Sequence, residues 1–170
     1  IDPSPYHYDQ PDWVRVATEG ADKEQTRRRK MFELPPGVVW IRDAVQKIDP
    51  DAQVLATGST GEVAYEAVVI ATGVETRWDR IRNLADALGT NGICSVYGYE
   101  QAASAWEMIR SFPGGRALFS APSSPYKGGN APLRILHRAE DQWRERGVRS
   151  QAEILFATAI NEDYAGEQYA

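Results

Sequence analysis

Two short stretches of the chain carry residue types that could hold a nucleotide cofactor. Asp2 stands at the end of a candidate strand, where a carboxylate can accept hydrogen bonds from ribose hydroxyls. Ala71-Thr72-Gly73 directly follows an apolar run, and such small residues let a cofactor lie close to the backbone. A plain turn aspartate and a plain loop are the alternative interpretations, and the two stretches alone do not decide between them.

A third candidate is the loop at 122–130, which follows a predicted strand at 116–120. Ligands of open α/β sheets lie beyond the carboxyl ends of parallel strands, where helix N-termini also point. The loop has no Gly-x-Gly-x-x-Gly spacing, and Lys127 precedes its glycines, so it is neither a dinucleotide fingerprint nor a P-loop. It is therefore either a ligand-facing loop or an ordinary connection.

The histidines, the cysteine and the glutamates form no pattern typical of a metal or nucleophile site. His7 and His137 have no second ligand at metal spacing, so we predict no metal site. Cys94 is the only cysteine, which excludes an intramolecular disulfide. Because no basic residue lies near it in the sequence, a buried, inert thiol is favoured over a nucleophile. No paired carboxylates are evident, and the catalytic residues stay unknown.

Length and charge restrict the class of protein. The chain has 170 residues, 42% of them hydrophobic, and a net charge of −5, which is typical of one globular domain and argues against a nucleic-acid partner. The basic run at 27–30 favours a solvated loop over an anion or lipid surface. No apolar run of about 18 residues is present, so no membrane-spanning helix is predicted. Since the chain opens at Ile1, we expect an internal part of a longer protein.

Residues 38–70 have the pattern of a three-stranded antiparallel β-meander. The first predicted strand, which is rich in β-branched and aromatic residues, begins at 38–41 and continues extended through 45–48. The second is predicted at 53–57 and the third at 62–70. Turns are predicted at 49–51 and 58–61 from their Asp, Pro, Gly and Ser content. The last strand ends in an unbroken apolar run at 67–70, typical of burial on both faces. Nearer the start, weak alternation at 13–17 also favours an extended segment.

The last third of the chain predicts a βαβ unit. Apolar residues recur at helical spacing over 99–112 and 131–146, and Gly147 follows the second helix as a stop signal. Strands are predicted on either side of that helix, at 116–120 and 152–158. Because a strand–helix–strand unit joins parallel strands, we expect an α/β fold with a parallel pair.

Several short stretches occur in an order that is known from one family. They are DPSPYHYDQPDW at 2–13, PGVVWI at 36–41, YE at 65–66, VIATG at 69–73, SVY at 95–97, Trp106, PYK at 125–127 and AP at 131–132. Taken in order along nearly the whole chain, the set resembles the sulfide:quinone oxidoreductases. These are flavoproteins of the pyridine nucleotide–disulfide reductase superfamily.

The resemblance implies a partial FAD/NAD(P)-binding Rossmann-like fold with FAD as the cofactor. It implies that Asp2 binds the adenosine ribose, that Gln10 contacts the cofactor and that Val45 meets the adenine through its backbone. It also implies that Ala71-Thr72-Gly73 passes close to the flavin side of FAD. In the family, electrons pass from sulfide through cysteine persulfides and flavin to a membrane quinone. The implied partners are therefore a small electron donor, a quinone and a membrane surface.

The same resemblance implies a domain division. Residues 1–89 would be a partial FAD-binding domain without its glycine-rich turn, and 90–170 would start a second nucleotide-binding-like domain. A sheet truncated in this way leaves apolar strands unpaired, so we expect marginal stability or a homo-oligomer. The implied location is cytoplasmic, with peripheral contact at the inner face of a membrane.

One departure from the family concerns its chemistry. The family has a reactive cysteine directly after the lysine of the Pro-x-Lys loop, whereas this chain has Gly128. Glycine has no nucleophile, so the persulfide relay cannot run there in the familiar way. Three hypotheses follow: an FAD-dependent oxidoreductase that reduces a quinone, a flavoprotein that takes electrons from NAD(P)H, or a non-catalytic fragment that binds no cofactor.

Overall fold

The computed structural model describes residues 1–121 and 128–159. The strands are β1 Tyr6–Tyr8, β2 Arg27–Arg29, β3 Val45–Asp49, β4 Val54–Thr57, β5 Glu62–Ala64, β6 Gly115–Ala121 and β7 Ala152–Thr158. The α-helices are α1 Trp13–Glu19, α2 Leu84–Ala87, α3 Tyr99–Ser111 and α4 Ala131–Glu145. The chain divides into a first unit, made of Ile1–Tyr8 and Arg27–Val74, and a second unit, made of Asp9–Thr26 and Glu75–Ala170.

In the first unit, β3, β4 and β5 form the predicted antiparallel meander. Ile48 pairs with Leu55, which in turn pairs with Val63. The turn between β3 and β4 is closed by the amide of Ala52, which donates to the carboxylate of Asp49 at 3.0 Å. A second antiparallel sheet in this unit consists of β1 and β2 alone. The pairings of the meander rest on its β-branched, partly alternating segments and on its turns rich in Asp, Gly and Ser, which the sequence displays directly.

One of the predicted extended segments is not a strand, and another is shorter than expected. Residues 38–41 carry no strand, and β5 ends at Ala64 instead of continuing to residue 70. Val69 is 88% exposed and Ile70 65% exposed, so the expected burial of this apolar run on both faces is wrong. An apolar strand becomes buried only where neighbouring strands and helices cover it. In the part of the chain that the structure describes, no strand pairs with this run.

The second unit has its core where three helices meet. The central buried residues, which come from α1, α3 and α4, are Val14, Ile109, Ile135, Ala139 and Trp143. The ring of Trp143 lies 4.4 Å from that of Phe112 and 6.1 Å from that of Phe119. Its indole N–H donates to the carbonyl of Ile109 at 2.9 Å. Trp143 therefore packs apolar surface and satisfies its polar group at the same time.

The extended segment expected at 13–17 is wrong, because these residues form the helix α1. Its buried residues are Trp13, Val14, Val16, Ala17 and Thr18, which is the spacing of a helix face. Only Val14 and Val16, taken alone, also suit an alternating strand. Packing against α3 and α4 selects the helix. The helix ends at Gly20, where φ is +70° and an added Cβ would lie 2.6 Å from the indole of Trp106. Only glycine fits this close approach.

The predicted βαβ unit is confirmed, because β6 and β7 form a parallel pair on either side of α4. Gly115 pairs with Ala152 at one end of the ladder, and Ala121 pairs with Thr158 at the other. The antiparallel meander and this parallel pair together confirm the α/β class. Neither 1–121 nor 128–159 contains a helix long and apolar enough to cross a membrane.

Candidate functional site

Asp2 is held in the first unit through both its backbone and its side chain. Its amide donates to the carbonyl of Ile41 at 3.1 Å, and its carbonyl accepts from the indole N–H of Trp40 at 2.8 Å. Oδ1 of its carboxylate accepts from the amide of Ser4 at 2.8 Å. Oδ2 forms an ion pair with the ammonium group of Lys30. Neither the position nor the orientation of the carboxylate depends on a single contact.

The carboxylate of Asp2 can still accept further hydrogen bonds. Burial raises its pKa, but the contacts with Lys30 and Ser4 together outweigh burial and hold the pKa below its usual value. An ionised carboxylate offers about four lone-pair positions, of which these two contacts occupy one each. The side chain is 47% exposed, so the remaining positions are accessible. Two hydroxyl donors, such as those of a ribose diol, could occupy the two remaining lone-pair positions.

Asp43 organises the approach to β3, and sequence reasoning missed it. Its carboxylate accepts from the amides of Ala44, Ser59 and Thr60 at 2.8, 2.8 and 2.7 Å, and from the hydroxyl of Ser59 at 3.0 Å. The amides of Ser59 and Thr60 hold its pKa far below the usual range, against the effect of burial. The only available signal is an aspartate just before a strand, and nothing in the sequence names its partners.

Val45 follows Asp43 closely and is the first residue of β3. It pairs with Thr57, and the register of the ladder shifts between Val45 and Lys47. Its side chain is 41% exposed. The carbonyl of Ile41 accepts a hydrogen bond from the amide of Asp2. The short segment 41–45 therefore connects Asp2 with Val45, two of the residues that the resemblance assigns to FAD.

The third assigned stretch, Ala71-Thr72-Gly73, is irregular and exposed. Gly73 has φ +69°, and an added Cβ would meet nothing within 4 Å. The backbone conformation therefore favours glycine here, and the space beside it is open. Gln10 begins a 3-10 turn at Gln10–Asp12, is exposed and belongs to the second unit.

In the second unit, Gly128 occupies the position where the resemblance places a cysteine. Its φ is +95°, and its carbonyl accepts from the amide of Ala131 at 2.9 Å. An added Cβ would lie 3.3 Å from the Cβ of Ala131 and 3.7 Å from the hydroxyl of Tyr97. The preceding residues of this loop, 122–127, lie outside the described part of the chain, so the ligand-facing loop stays a prediction.

Cys94 is exposed, so the expectation of a buried thiol is wrong. It directly follows a tight turn that is closed between Thr90 and Ile93. Nearby protein atoms nevertheless desolvate the sulfur and raise the pKa of the thiol, which disfavours the reactive thiolate. Among the residues that the structure describes, no group of three or more His, Cys, Asp or Glu side chains could hold a metal ion.

Sequence and structure comparisons identify relatives along the whole chain. No protein-family profile matches it. The chain is 32% identical over 160 residues to the mitochondrial sulfide:quinone oxidoreductase of Dictyostelium discoideum, which covers 94% of this chain and 35% of that protein. It is 31% identical over 170 residues to the mouse mitochondrial enzyme of the same name, which covers all of this chain and 38% of that protein. The chain thus spans little more than a third of these relatives.

Two solved structures share the fold. The sulfide:quinone oxidoreductase of Aquifex aeolicus aligns with a TM-score of 0.68 and 21% identity, over 92% of this chain and 35% of that chain. A chain in the Tetrahymena thermophila mitochondrial ATP synthase aligns with a TM-score of 0.70 and 16% identity, over 93% of this chain and 40% of that chain. At these identities the structures support the fold alone. On the sequence evidence, the chain is a homologue of the sulfide:quinone oxidoreductases along its whole length.

Proposed function

We propose that the chain is the FAD-binding part of an oxidoreductase that passes electrons from a small donor through flavin to a quinone. The homology along the whole chain supports the reaction class. The observation that carries the cofactor assignment is the carboxylate of Asp2, held by Lys30 and Ser4 with hydrogen-bonding capacity to spare. The two hydroxyl groups of a ribose would donate hydrogen bonds to this carboxylate.

The residues of the chain fit FAD in specific roles. Asp2 would accept from the ribose hydroxyls, and the backbone at Val45 would meet the adenine. Ala71-Thr72-Gly73 offers open space beside Gly73 and no bulky side chain to the flavin side. The family resemblance also assigns Gln10 a contact with the cofactor. FAD, when bound, supplies the redox chemistry, while these residues bind and orient it.

The glycine at position 128 favours a second candidate for the electron donor. A sulfide donor relies on a cysteine nucleophile in this family, and Gly128 cannot provide one. Cys94 is a poor substitute, because its raised pKa disfavours the thiolate. A reduced nicotinamide delivers its electrons as hydride without a thiol, so an NAD(P)H-dependent flavoprotein oxidoreductase is the alternative.

The partners and the location belong to this proposal as well. A quinone acceptor implies peripheral contact between the whole protein and a membrane surface. The curated relatives are named as mitochondrial proteins, which does not support the cytoplasmic location expected from the sequence. Exposed apolar side chains such as Val69 and Leu118 supply surface that a homo-oligomer would cover.

A flavin titration tests the cofactor assignment. The purified chain is examined for a flavin spectrum before and after heat release, and FAD is then titrated by fluorescence quenching. We expect weak binding, which Asp2→Asn lowers by roughly tenfold, because hydrogen bonds to a charged group are lost. Asp51→Asn, at an exposed turn residue, serves as the matched control. Equal binding by both variants would contradict the role of Asp2, and absence of binding by the native chain would favour the non-catalytic fragment.

A further inference from the structure

A groove in the first unit has no part in the proposed function. It is lined by Pro5, Tyr6, Arg29, Met31, Trp40 and Arg42, and its volume is about 340 Å³. This volume lies within the range of roughly 300–1,000 Å³ that is usual for small-molecule sites. The lining combines two guanidinium groups with aromatic and thioether side chains, so it offers positive charge and apolar surface together.

The expectation that the basic run at 27–30 forms a solvated loop is wrong, because Arg27–Arg29 form the strand β2, which pairs with β1. The four basic side chains have different surroundings. Three of them have partners within the protein: Arg27 lies 4.7 Å from the ring centre of Tyr6, Arg28 lies 3.4 Å from a carboxylate oxygen of Glu33, and Lys30 pairs with Asp2. Arg29 is the fourth, and it lines the groove. No carboxylate pairs with Arg29 in the described ranges, so its charge is available to a ligand.

Arg42 is the second guanidinium group of the groove. Its Nε donates to the carbonyl of Pro3 at 3.3 Å, which holds the side chain in place. Arginine carries five N–H donors in a fixed fork, so the terminal nitrogens can still donate. Within 1–121 and 128–159, no carboxylate neutralises Arg42 either. Arg29 and Arg42 therefore direct uncompensated positive charge at the same groove.

Fixed rings supply the apolar surface. The indole N–H of Trp40 donates to the carbonyl of Asp2 at 2.8 Å, and this bond restrains the plane of the ring. Tyr6 is restrained by the guanidinium of Arg27. Met31 is 58% exposed, and its unbranched thioether side chain adapts to ligands of different shape. Rings that are already held in place lose little conformational entropy when a flat ligand binds.

We propose that this groove binds a small planar aromatic carboxylate. The carboxylate would accept charge-assisted hydrogen bonds from Arg29 and Arg42, and the ring would pack against Trp40 and Met31. The site differs in chemistry from Asp2, whose carboxylate selects hydroxyl donors and repels anions. The inference concerns a different ligand and different side chains from the FAD proposal, while Trp40 and Arg42 also hold the backbone of Asp2 and Pro3.

Isothermal titration of the 170-residue chain with 2-naphthoate tests this site. We expect saturable binding of one molecule per chain. 2-Naphthol has the same rings but is neutral at pH 7, and it should bind roughly tenfold more weakly because the charge-assisted bonds are missing. Arg29→Gln and Arg42→Gln should each weaken naphthoate binding by about tenfold. The matched control is Arg28→Gln, which changes a neighbouring arginine that pairs with Glu33 and should leave the affinity unchanged.

Melting curves of all variants, followed by circular dichroism, separate loss of the ligand site from loss of the fold. Trp40→Phe is a second test, because it keeps a flat ring and should retain charge-dependent binding. Equal affinity for naphthoate and naphthol would overturn the proposal. Binding that is insensitive to both Arg29→Gln and Arg42→Gln would also overturn it, as would displacement of naphthoate by ADP, which would assign the groove to the nucleotide. If FAD does not bind, the naphthoate titration and its variants can still be interpreted, because they do not use FAD.

Discussion

Ser59 contacts the carboxylate of Asp43 twice, through its amide at 2.8 Å and through its hydroxyl at 3.0 Å. The amide of Thr60 adds a third contact at 2.7 Å. All three groups donate to the ionised carboxylate, so they hold the pKa of Asp43 well below its usual range. The turn between β4 and β5 is thereby tied to the chain that enters β3 at Val45.

Asp43→Asn should destabilise the first unit in a pH-dependent way, because an amide has one acceptor oxygen where the carboxylate has two. The lowered pKa means that the contribution of Asp43 is complete above about pH 4, the usual value for an unfolded aspartate, and is lost as the pH falls further. At pH 7 we expect the melting temperature to fall by roughly 4–8 °C. The difference in melting temperature between Asp43→Asn and the native chain should be smaller at pH 2.5, as measured by circular dichroism.

The control for this experiment is Asp51→Asn, which changes an exposed residue of the turn between β3 and β4 and should melt like the native chain. A deficit for Asp43→Asn that stays constant between pH 7 and pH 2.5 would show that its charge is not what stabilises the turn.

Lys30→Gln should raise the pKa of Asp2. Burial already raises this pKa, and the hydrogen bond and charge of Lys30 oppose burial, so their removal leaves burial less compensated. Carbon-13 NMR of the Asp2 carboxyl group follows the titration directly. Lys47→Gln is the matched control, because Lys47 pairs with Asp49 and should not move the titration of Asp2. An unchanged midpoint in Lys30→Gln would mean that the ion pair does not hold the carboxylate in solution.

Gly128→Cys, which introduces the residue found at this position in the family, should destabilise the second unit. A φ of +95° lies outside the left-handed region that side chains tolerate, and the new Cβ would meet Ala131 at 3.3 Å. We expect the free energy of unfolding to fall by about 1–3 kcal/mol. Urea denaturation followed by circular dichroism measures it.

Gly129→Cys is the control for position 128, because Gly129 has φ +49° and an added Cβ there meets nothing within 4 Å. It should be the milder substitution. If Gly128→Cys proves as stable as the native chain, then the backbone at 128 readily accepts a side chain, and glycine there is no conformational requirement.

Trp143 provides a test of the core of the second unit. Trp143→Ala removes a ring that is 2% exposed and packs on Phe112 and Phe119, and it should cost about 3–5 kcal/mol of unfolding free energy. Trp143→Phe keeps most of the packing but loses the hydrogen bond to the carbonyl of Ile109, so roughly 1–3 kcal/mol is expected. Guanidinium denaturation measures both, and equal losses would show that the indole N–H dominates over packing.

Some elements could be predicted because their signals are local. The turn at 49–51 stands between alternating segments, and β3 and β4 form on either side of it. The helix α4 shows apolar residues at helical spacing and ends before Gly147, whose φ is +72°. The helix α1 was predicted wrongly, because Val14 and Val16 also suit an alternating strand and only contact with other helices decides between the two forms.

The candidate site likewise contains one residue that the sequence indicated and one that it did not. Asp2 was predicted from an expected strand end and from the family resemblance, whereas the first strand of the structure begins at Tyr6. Its partner Lys30 belongs to a run that the sequence presents as four equivalent basic residues. Asp43 was not found at all, because its donors in the turn at 58–61 come from a different part of the chain. Long-range partners of this kind leave no periodicity for a sequence to display.

By itself, the sequence determined the α/β class, the antiparallel meander, the parallel pair around α4 and the relationship to the sulfide:quinone oxidoreductases. These depend on turn residues, apolar spacing and the order of short motifs, all of which are local properties. Only the tertiary structure decided that Arg29 lines a groove, that Asp43 holds a distant turn, and that Val69 is exposed. The physical reason is that charge pairing and burial depend on which distant segments meet.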